Sequence, residues 1–203
     1  MTAYQFWKKA LSPLGRLLYR LRFEGIENIP SEGPFIICSN HRSVIDPFFL
    51  ALPVKRQIRY MAKSELFTDH GSFVKWLLYR LGAFPVMRDK GDAESVRTAV
   101  QILQDHGVVG IFPQGHCVFD NSPFRPKAGA VLVAAKAKAP ILPACIYCEG
   151  LVKPFKRIVV RFGKLIPFEG LNLPDGSLKG VREASGLLAE KINLLLDKRD
   201  TAE

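Results

Sequence analysis

Short apolar runs alternate with amphipathic stretches along most of this chain. The apolar runs are bounded by glycine, proline and polar residues, as buried strands often are. They predict strands over residues 35–39, 58–62, 83–87, 108–112, 141–147 and 158–162. Apolar positions at helical spacing predict helices over residues 47–52, 73–81, 93–105, 128–137 and 185–196.

This alternation predicts an α/β fold with a largely parallel mixed sheet that is flanked by helices on both faces. Ligands of such sheets bind beyond the carboxyl ends of the strands. Two polar motifs follow predicted strands, Asn40–Asp46 and Pro113–Cys117. A functional site is therefore expected where these two motifs meet.

Residues 3–22 have their own pattern, in which apolar residues recur at helical spacing among five basic residues. Pro13 is expected to end or kink the first part of this helix. A basic helix with aromatic residues near its start is typical of segments that lie on an anionic bilayer. The alternative is a helix that packs its leucine face on the domain. We predict a membrane-associating amphipathic helix over residues 1–22 and one globular domain over residues 23–203.

The charge of the chain favours an anionic partner, because 29 basic residues against 19 acidic ones give a net charge of +10. Nucleic acid, phosphorylated metabolites and anionic lipid all meet this condition. No secretory signal is recognisable, and no window reaches the ~18 to 20 apolar residues of a membrane span. Four cysteines in or beside apolar segments favour reduced thiols in a cytosolic compartment.

Three other functional classes are disfavoured. Cys145 and Cys148 are spaced like zinc ligands, but at strand spacing their thiols point to opposite faces, so no metal is expected. Cys117 beside His116 lacks an orienting group for a thiol nucleophile. The basic strand at 158–162 has few interleaved aromatic residues, which disfavours nucleic acid. Its alternating arginines predict a solvated or headgroup-facing strand surface.

His41 and Asp46 carry the most specific chemical signal. A carboxylate beside a histidine fixes its tautomer and makes it a better base for a hydroxyl proton. Five positions apart, the two side chains can meet only if residues 41–45 form a turn before a helix. The alternative is that Asp46, which precedes Pro47, merely caps the helix.

Two further segments carry candidate ligand-binding groups. Arg88 follows a short predicted strand and can hold a phosphate with its guanidinium group. Gly115 allows a ligand to approach the backbone, and Gln114 offers both donors and an acceptor. Each of these features alone is also consistent with an ordinary surface residue or turn.

Together these segments resemble the glycerolipid acyltransferase family. Four blocks of that family stand here in family order: Asn40–Asp46 as N-H-x4-D, Gly82–Arg88, Phe112–Gly115 in place of F-P-E-G, and Pro140–Pro143. The resemblance implies acyl transfer from acyl-CoA or an acyl carrier protein, without a cofactor, to a lysophospholipid such as 1-acyl-glycerol-3-phosphate. The product would be phosphatidic acid, in phospholipid biosynthesis.

The resemblance also implies roles for individual residues. His41 would be the base and Asp46 its orienting partner, while Asn40, Gln114 and Gly115 would contact substrate and Arg88 the phosphate of the acceptor. Gln114 stands where the family has glutamate, and the arginine of that block is missing. Arg125 and Lys127 are candidates to replace the missing cation. A different lipid acceptor, or a lipid-binding relative without catalysis, remains the alternative.

The resemblance and the compact chain favour a bacterial enzyme that is peripheral to the cytoplasmic face of the cell membrane. Its expected partners are an anionic membrane surface, a lysophospholipid and an acidic acyl carrier, since the positive charge suits either form of donor. Neither nucleic acid nor metal is expected as a partner.

Overall fold

The computed structural model describes residues 5, 12, 13, 15, 17–86, 93–173 and 177–197. Within these residues one seven-stranded sheet has the order β1-β7-β6-β2-β5-β3-β4. Its strands are β1 (Arg20–Glu24), β2 (Phe35–Ser39), β3 (Ile58–Lys63), β4 (Phe84–Val86), β5 (Val108–Ile111), β6 (Ile141–Cys148) and β7 (Arg157–Phe162).

The helices largely follow the apolar periodicity of the sequence. They are α1 (Asp46–Ala51), α2 (Glu65–Thr68), α3 (Gly71–Arg80), α4 (Ala93–Gln104), α5 (Gly129–Ala137) and α6 (Leu178–Asp197). The four-residue helix α2 is not predicted from the sequence. Helix α6 begins seven residues before its predicted start at residue 185, because Val181 and Ala184 are buried in the core.

Alternate side chains of β2 enter two apolar cores, one on each face of the sheet. Ile36 and Cys38 belong to the core that α4, α5 and α6 cover. Phe35 and Ile37 belong to the opposite core, together with Phe49 of α1. The predicted α/β sheet with helices on both faces is therefore confirmed.

The sheet is mixed because its last strand reverses direction. Strands β2 to β6 pair in parallel, whereas β7 is antiparallel to β6. Strand β1 pairs in parallel with β7, so both begin at the edge where β2, β5 and β6 end. The segment before Arg20 therefore reaches the sheet at the same edge as the two polar motifs.

The predicted helix over residues 3–22 is wrong at its end, since residues 20–22 form part of β1. Pairing with β7 satisfies the backbone of this segment and overrides the helical spacing. Residues 5, 12, 13, 15, 17 and 18 are helical, and the other positions before residue 17 lie outside the described residues. No helix in the described ranges is long and apolar enough to cross a membrane.

The predicted solvated surface of β7 is wrong at Arg161. This arginine is buried, and its Nε lies 3.1 Å from Glu24 Oε2 of β1. Its Nη1 donates a hydrogen bond to the carbonyl oxygen of Leu195 in α6 at 3.0 Å. The sequence pattern missed this because β1 and α6 together cover the side chain.

Candidate active site

Asp46 organises the loop between β2 and α1. Its side chain is fully buried, and Oδ2 accepts hydrogen bonds from the backbone N–H groups of Arg42 at 2.5 Å and Ser43 at 2.8 Å. The backbone N–H of Asp46 in turn donates to Ser43 O at 3.0 Å. These bonds form the turn that the spacing requires. The carboxylate of Asp46 therefore holds the β2–α1 loop in place, and it does not cap the N-terminus of α1.

His41 meets Asp46 across that turn. Its Nδ1 lies 2.8 Å from Asp46 Oδ2, and its ring stacks on Phe112 with a centroid distance of 4.2 Å. The carboxylate fixes a proton on Nδ1, which leaves Nε2 with a lone pair. Because the side chain of His41 is 15% exposed, an acceptor can reach it while bulk water is largely excluded.

The backbone of His41 is held on both sides by the segment that follows β5. Its N–H donates to Oε1 of Gln114 at 2.9 Å, and its carbonyl accepts from the N–H of Val118 at 2.7 Å. Gln114 is itself buried. The two polar motifs that the sequence predicts at neighbouring strand ends are therefore brought together at His41.

Asn40 fastens the same loop to β6. Its Nδ2 donates to Ile146 O at 2.9 Å, and its Oδ1 accepts from the N–H of Ile146 at 2.7 Å. The buried amide of Asn40 thus pairs with both the N–H and the carbonyl of Ile146, as the backbone of a neighbouring strand would. This geometry supports a positioning role for Asn40. The predicted contact of Asn40 with substrate stays a prediction.

Arg42 is a functional candidate that the sequence reasoning missed. Its guanidinium group is buried and donates to the carbonyl oxygens of Phe119, Cys148 and Gly150. It also bonds to the side chain of Asn121. Burial lowers the pKa of Arg42 below its ordinary value. These partners lie 77 to 108 residues away, so no local pattern could have revealed them.

Lys127 is brought to the turn at Gly115. Gly115 has a left-handed φ of 80°, and a Cβ placed on it would lie 3.4 Å from Lys127 Nζ. The backbone N–H of Lys127 donates to Pro113 O at 2.9 Å, which closes the loop between them. Arg125 is exposed in the same loop. Arg88 lies outside the described residues, two positions after the end of β4.

An apolar cavity of about 260 Å³ adjoins this turn. Phe112 lines it and also stacks on His41, so the cavity lies behind the candidate base. The other lining residues include Met61, Val86, Val96, Ile111 and Lys127. Such a mostly apolar space with one cation can hold a hydrocarbon chain near a charged group.

The rings of Phe112 and Tyr60 form a stacked row against the ring of His41. Tyr60 of β3 stacks on Phe112 at a centroid distance of 6.0 Å, and its hydroxyl donates to Pro47 O at 2.8 Å. Gly110 leaves room for this arrangement, since a Cβ there would lie 2.4 Å from the Tyr60 ring. The glycine inside β5 is thus required by packing beside the site.

Three of the four cysteines, Cys38, Cys145 and Cys148, are buried in the two cores. Cys145 and Cys148 belong to different cores, on opposite faces of β6, as their spacing predicts. Burial raises the pKa of Cys145 to about 12 and also raises that of Cys38 and Cys148. These thiols are therefore protonated at neutral pH and poor nucleophiles.

Comparisons with known proteins place the chain among acyltransferases. Residues 20–147 match the family model described as Acyltransferase. The chain is 35% identical to 1-acyl-sn-glycerol-3-phosphate acyltransferase of Bacillus subtilis, over 94% of this chain and 93% of that protein. It is 30% identical to the human 1-acyl-sn-glycerol-3-phosphate acyltransferase alpha, over 79% of this chain and 60% of that protein.

A solved structure shares the fold. The crystal structure of the 1-acyl-sn-glycerophosphate acyltransferase PlsC from Thermotoga maritima superimposes with a TM-score of 0.70. The comparison covers 97% of this chain and 82% of that one, at 21% sequence identity.

The family match and the relatives identify an enzyme that transfers acyl groups. The chain belongs to the acyltransferase family, within the glycerolipid branch to which its relatives' names point.

Proposed function

We propose that this enzyme transfers a fatty acyl group from a thioester carrier to the free hydroxyl of 1-acyl-glycerol-3-phosphate, which makes phosphatidic acid for phospholipid biosynthesis. The observation that carries the proposal is the 2.8 Å contact between His41 Nδ1 and the buried carboxylate of Asp46. The names of the relatives in Bacillus subtilis and human support this acceptor.

In the proposed reaction His41 Nε2 takes the proton of the acceptor hydroxyl as its oxygen attacks the thioester carbonyl. The new C–O bond gives a tetrahedral intermediate, and its collapse breaks the C–S bond. The imidazolium then returns the proton to the departing thiolate. Asp46 stabilises the transient positive charge on the ring and holds its tautomer, and no acyl-enzyme is needed.

Lys127 and Arg125 are the proposed ligands of the acceptor's phosphate, together with Arg88. Lys127 Nζ is close to Gly115, whose turn also carries the Gln114 contact to His41. A cation in this place attracts a phosphate without contacting the reacting hydroxyl. Binding of the remote phosphate would then orient the hydroxyl toward Nε2 and lower the entropic part of the barrier.

Gln114 in place of the family glutamate is compatible with this mechanism. Its Oε1 accepts the N–H of His41, and a carboxylate oxygen in the same place would accept it equally well. The substitution therefore keeps the position of the base. It also removes a negative charge from the neighbourhood of the proposed phosphate site, which should favour an anionic acceptor.

The apolar cavity behind Phe112 is the proposed place of an acyl chain. We also propose that the enzyme works as a peripheral protein at the cytoplasmic face of a bacterial membrane. The net charge of +10 suits an anionic lipid surface and an acidic carrier, either acyl-CoA or acyl carrier protein.

The test is a reaction of the purified enzyme with palmitoyl-CoA or palmitoyl-acyl carrier protein and a panel of acceptors, with products identified by mass spectrometry. The panel contains 1-acyl-glycerol-3-phosphate, its phosphate-free analogue and lysophosphatidylcholine. Phosphatidic acid as the main product supports the proposal. Another acylated lipid would change the acceptor, free fatty acid with every acceptor would indicate a thioesterase, and no turnover of any thioester would indicate a lipid-binding relative.

A further inference from the structure

Five large apolar side chains are exposed on segments at the sheet edge where β2, β5 and β6 end and where β1 and β7 begin. Phe119 is 63% exposed and Phe155 is 73% exposed, although phenylalanine side chains are usually buried. We call the full set the apolar rim: Leu17, Val44, Phe119, Leu151 and Phe155. Isolated exposed apolar residues are common, so the set matters only if its members share one surface.

Arg42 joins three of these segments. Its Nη2 donates to Phe119 O at 3.1 Å and to Gly150 O at 2.6 Å, which places residues 119 and 151 beside each other. Arg42 also lies between His41 and the loop position Val44 in sequence. Val44 therefore lies on the loop that carries His41, and Phe119 and Leu151 lie on the two segments that Arg42 connects to this loop.

The remaining two rim residues are joined by the backbone. The N–H of Phe155 donates to Leu18 O at 2.6 Å, which connects the β6–β7 turn to the segment before β1. Phe155 has a left-handed φ of 66°, a strained conformation for a bulky residue. Backbone strain that keeps a large side chain in solvent points to a function for that side chain.

The charge around the rim is predominantly basic. Lys153, Lys156 and Arg157 are exposed in the same turn and at the start of β7, against the exposed Glu149 and Asp120. Strand β1 also begins at this edge with the exposed Arg20. Exposed apolar side chains among basic ones suit an anionic bilayer. The apolar side chains can insert between the lipids while the basic side chains contact the headgroups.

We propose that the apolar rim inserts into an anionic lipid surface and places His41 at the depth of a lysophospholipid's free hydroxyl. This inference deepens the proposed function and rests on it for the identity of the acceptor. The membrane contact would bring the base to the lipid, so the acceptor need not leave the bilayer. Exposed apolar side chains on several separate segments suit a bilayer better than a single protein groove.

The first experiment measures binding of the full chain to vesicles by co-sedimentation. The vesicles contain phosphatidylcholine with and without phosphatidylglycerol. The double variant Phe119→Ser, Phe155→Asn removes two tips, and asparagine tolerates the left-handed backbone. The matched control is Phe73→Ser, because Phe73 on α3 is 71% exposed but lies outside the rim. Unchanged thermal unfolding verifies that both variants fold.

We expect the double variant to bind anionic vesicles about tenfold more weakly and the control to bind as wild type. Unchanged vesicle binding by the double variant, or an equal loss in Phe73→Ser, would overturn the proposal. A selective loss of binding to acyl carrier protein would also overturn it and assign the rim to that partner. These outcomes do not require acyl transfer, so they are distinct from failure of the proposed function.

The second experiment compares acceptors in the same variants. With 1-acyl-glycerol-3-phosphate in vesicles, the double variant should turn over about tenfold more slowly. With a short-chain, monomeric acceptor it should match wild type, because the site itself is intact. An equal loss with both acceptors would show that the rim supports the site instead of the membrane contact.

Discussion

The side-chain carbonyl of Gln114 accepts a hydrogen bond from the backbone N–H of His41 at 2.9 Å. The contact joins two motifs that are 73 residues apart in sequence and that follow neighbouring strands of the sheet. Together with the bond from Val118 to the carbonyl of His41, it fixes the backbone that carries the base. If His41 acts as the proposed base, these backbone contacts would position it together with Asp46.

Gln114→Leu should lower kcat about 10- to 100-fold, because it leaves the buried N–H of His41 unpaired at a cost of about 1–3 kcal/mol. Gln114→Glu restores an acceptor and should stay within about tenfold of wild type. Steady-state kinetics with a short-chain acceptor measure both variants. Equal activity of the leucine and glutamate variants would show that the contact does not position the base.

Asp46→Asn should reduce kcat by several orders of magnitude, because a neutral amide cannot stabilise the positive charge that forms on the His41 ring when it takes a proton. The asparagine oxygen can still accept the N–H groups of Arg42 and Ser43, so the fold should persist. Single-turnover kinetics and circular dichroism measure the two effects separately. The control is Asp120→Asn, an exposed carboxylate in the nearby loop, which should retain wild-type kcat.

Arg42→Met should destabilise the fold by on the order of 3 kcal/mol, because carbonyl groups bonded to the buried guanidinium lose their donors. Chemical denaturation measures the free energy of unfolding. The control is Arg182→Met on the exposed surface of α6, which should change it by less than about 0.5 kcal/mol. Equal stability of the two variants would mean that Arg42 does not hold the loops together.

Gly110→Ala should destabilise the protein by about 1–3 kcal/mol, because the new methyl group would overlap the ring of Tyr60. A shift of that ring would also disturb Phe112 and the stacked His41. Gly186→Ala in α6 is the control, since a Cβ there meets nothing within 4 Å. Thermal unfolding of both variants checks this, and a Gly110→Ala variant as stable as wild type would contradict it.

The fold could be predicted from the sequence where short-range patterns dominate. The apolar runs of β2, β5 and β6 are buried on both faces, so their strand character is readable without knowledge of their partners. Strand β1 could not be read, because its pairing with β7 spans more than 130 residues and outweighs a helical spacing.

The residues of the candidate site also fall into those that the sequence could predict and those that it could not. His41 and Asp46 share one short loop, so their spacing and the Asp-Pro helix start predict their meeting. Asn40 pairs with backbone groups of β6, and Arg42 donates to backbone carbonyls after β5 and at the end of β6, at sequence separations of 77 to 108 residues. Backbone groups carry no residue-specific signal, and sequence alone therefore could not assign these two side chains to positioning.

The role of His41 as the base is tested by the turnover of purified His41→Ala with acyl thioester and 1-acyl-glycerol-3-phosphate, measured as phosphatidic acid by mass spectrometry. His70→Ala, an exposed histidine at the start of α3, is the control. If His41 is the base, His41→Ala should give undetectable product and the control should turn over as wild type, with unchanged folding of both. Phosphatidic acid formed at the wild-type rate by His41→Ala would contradict this role.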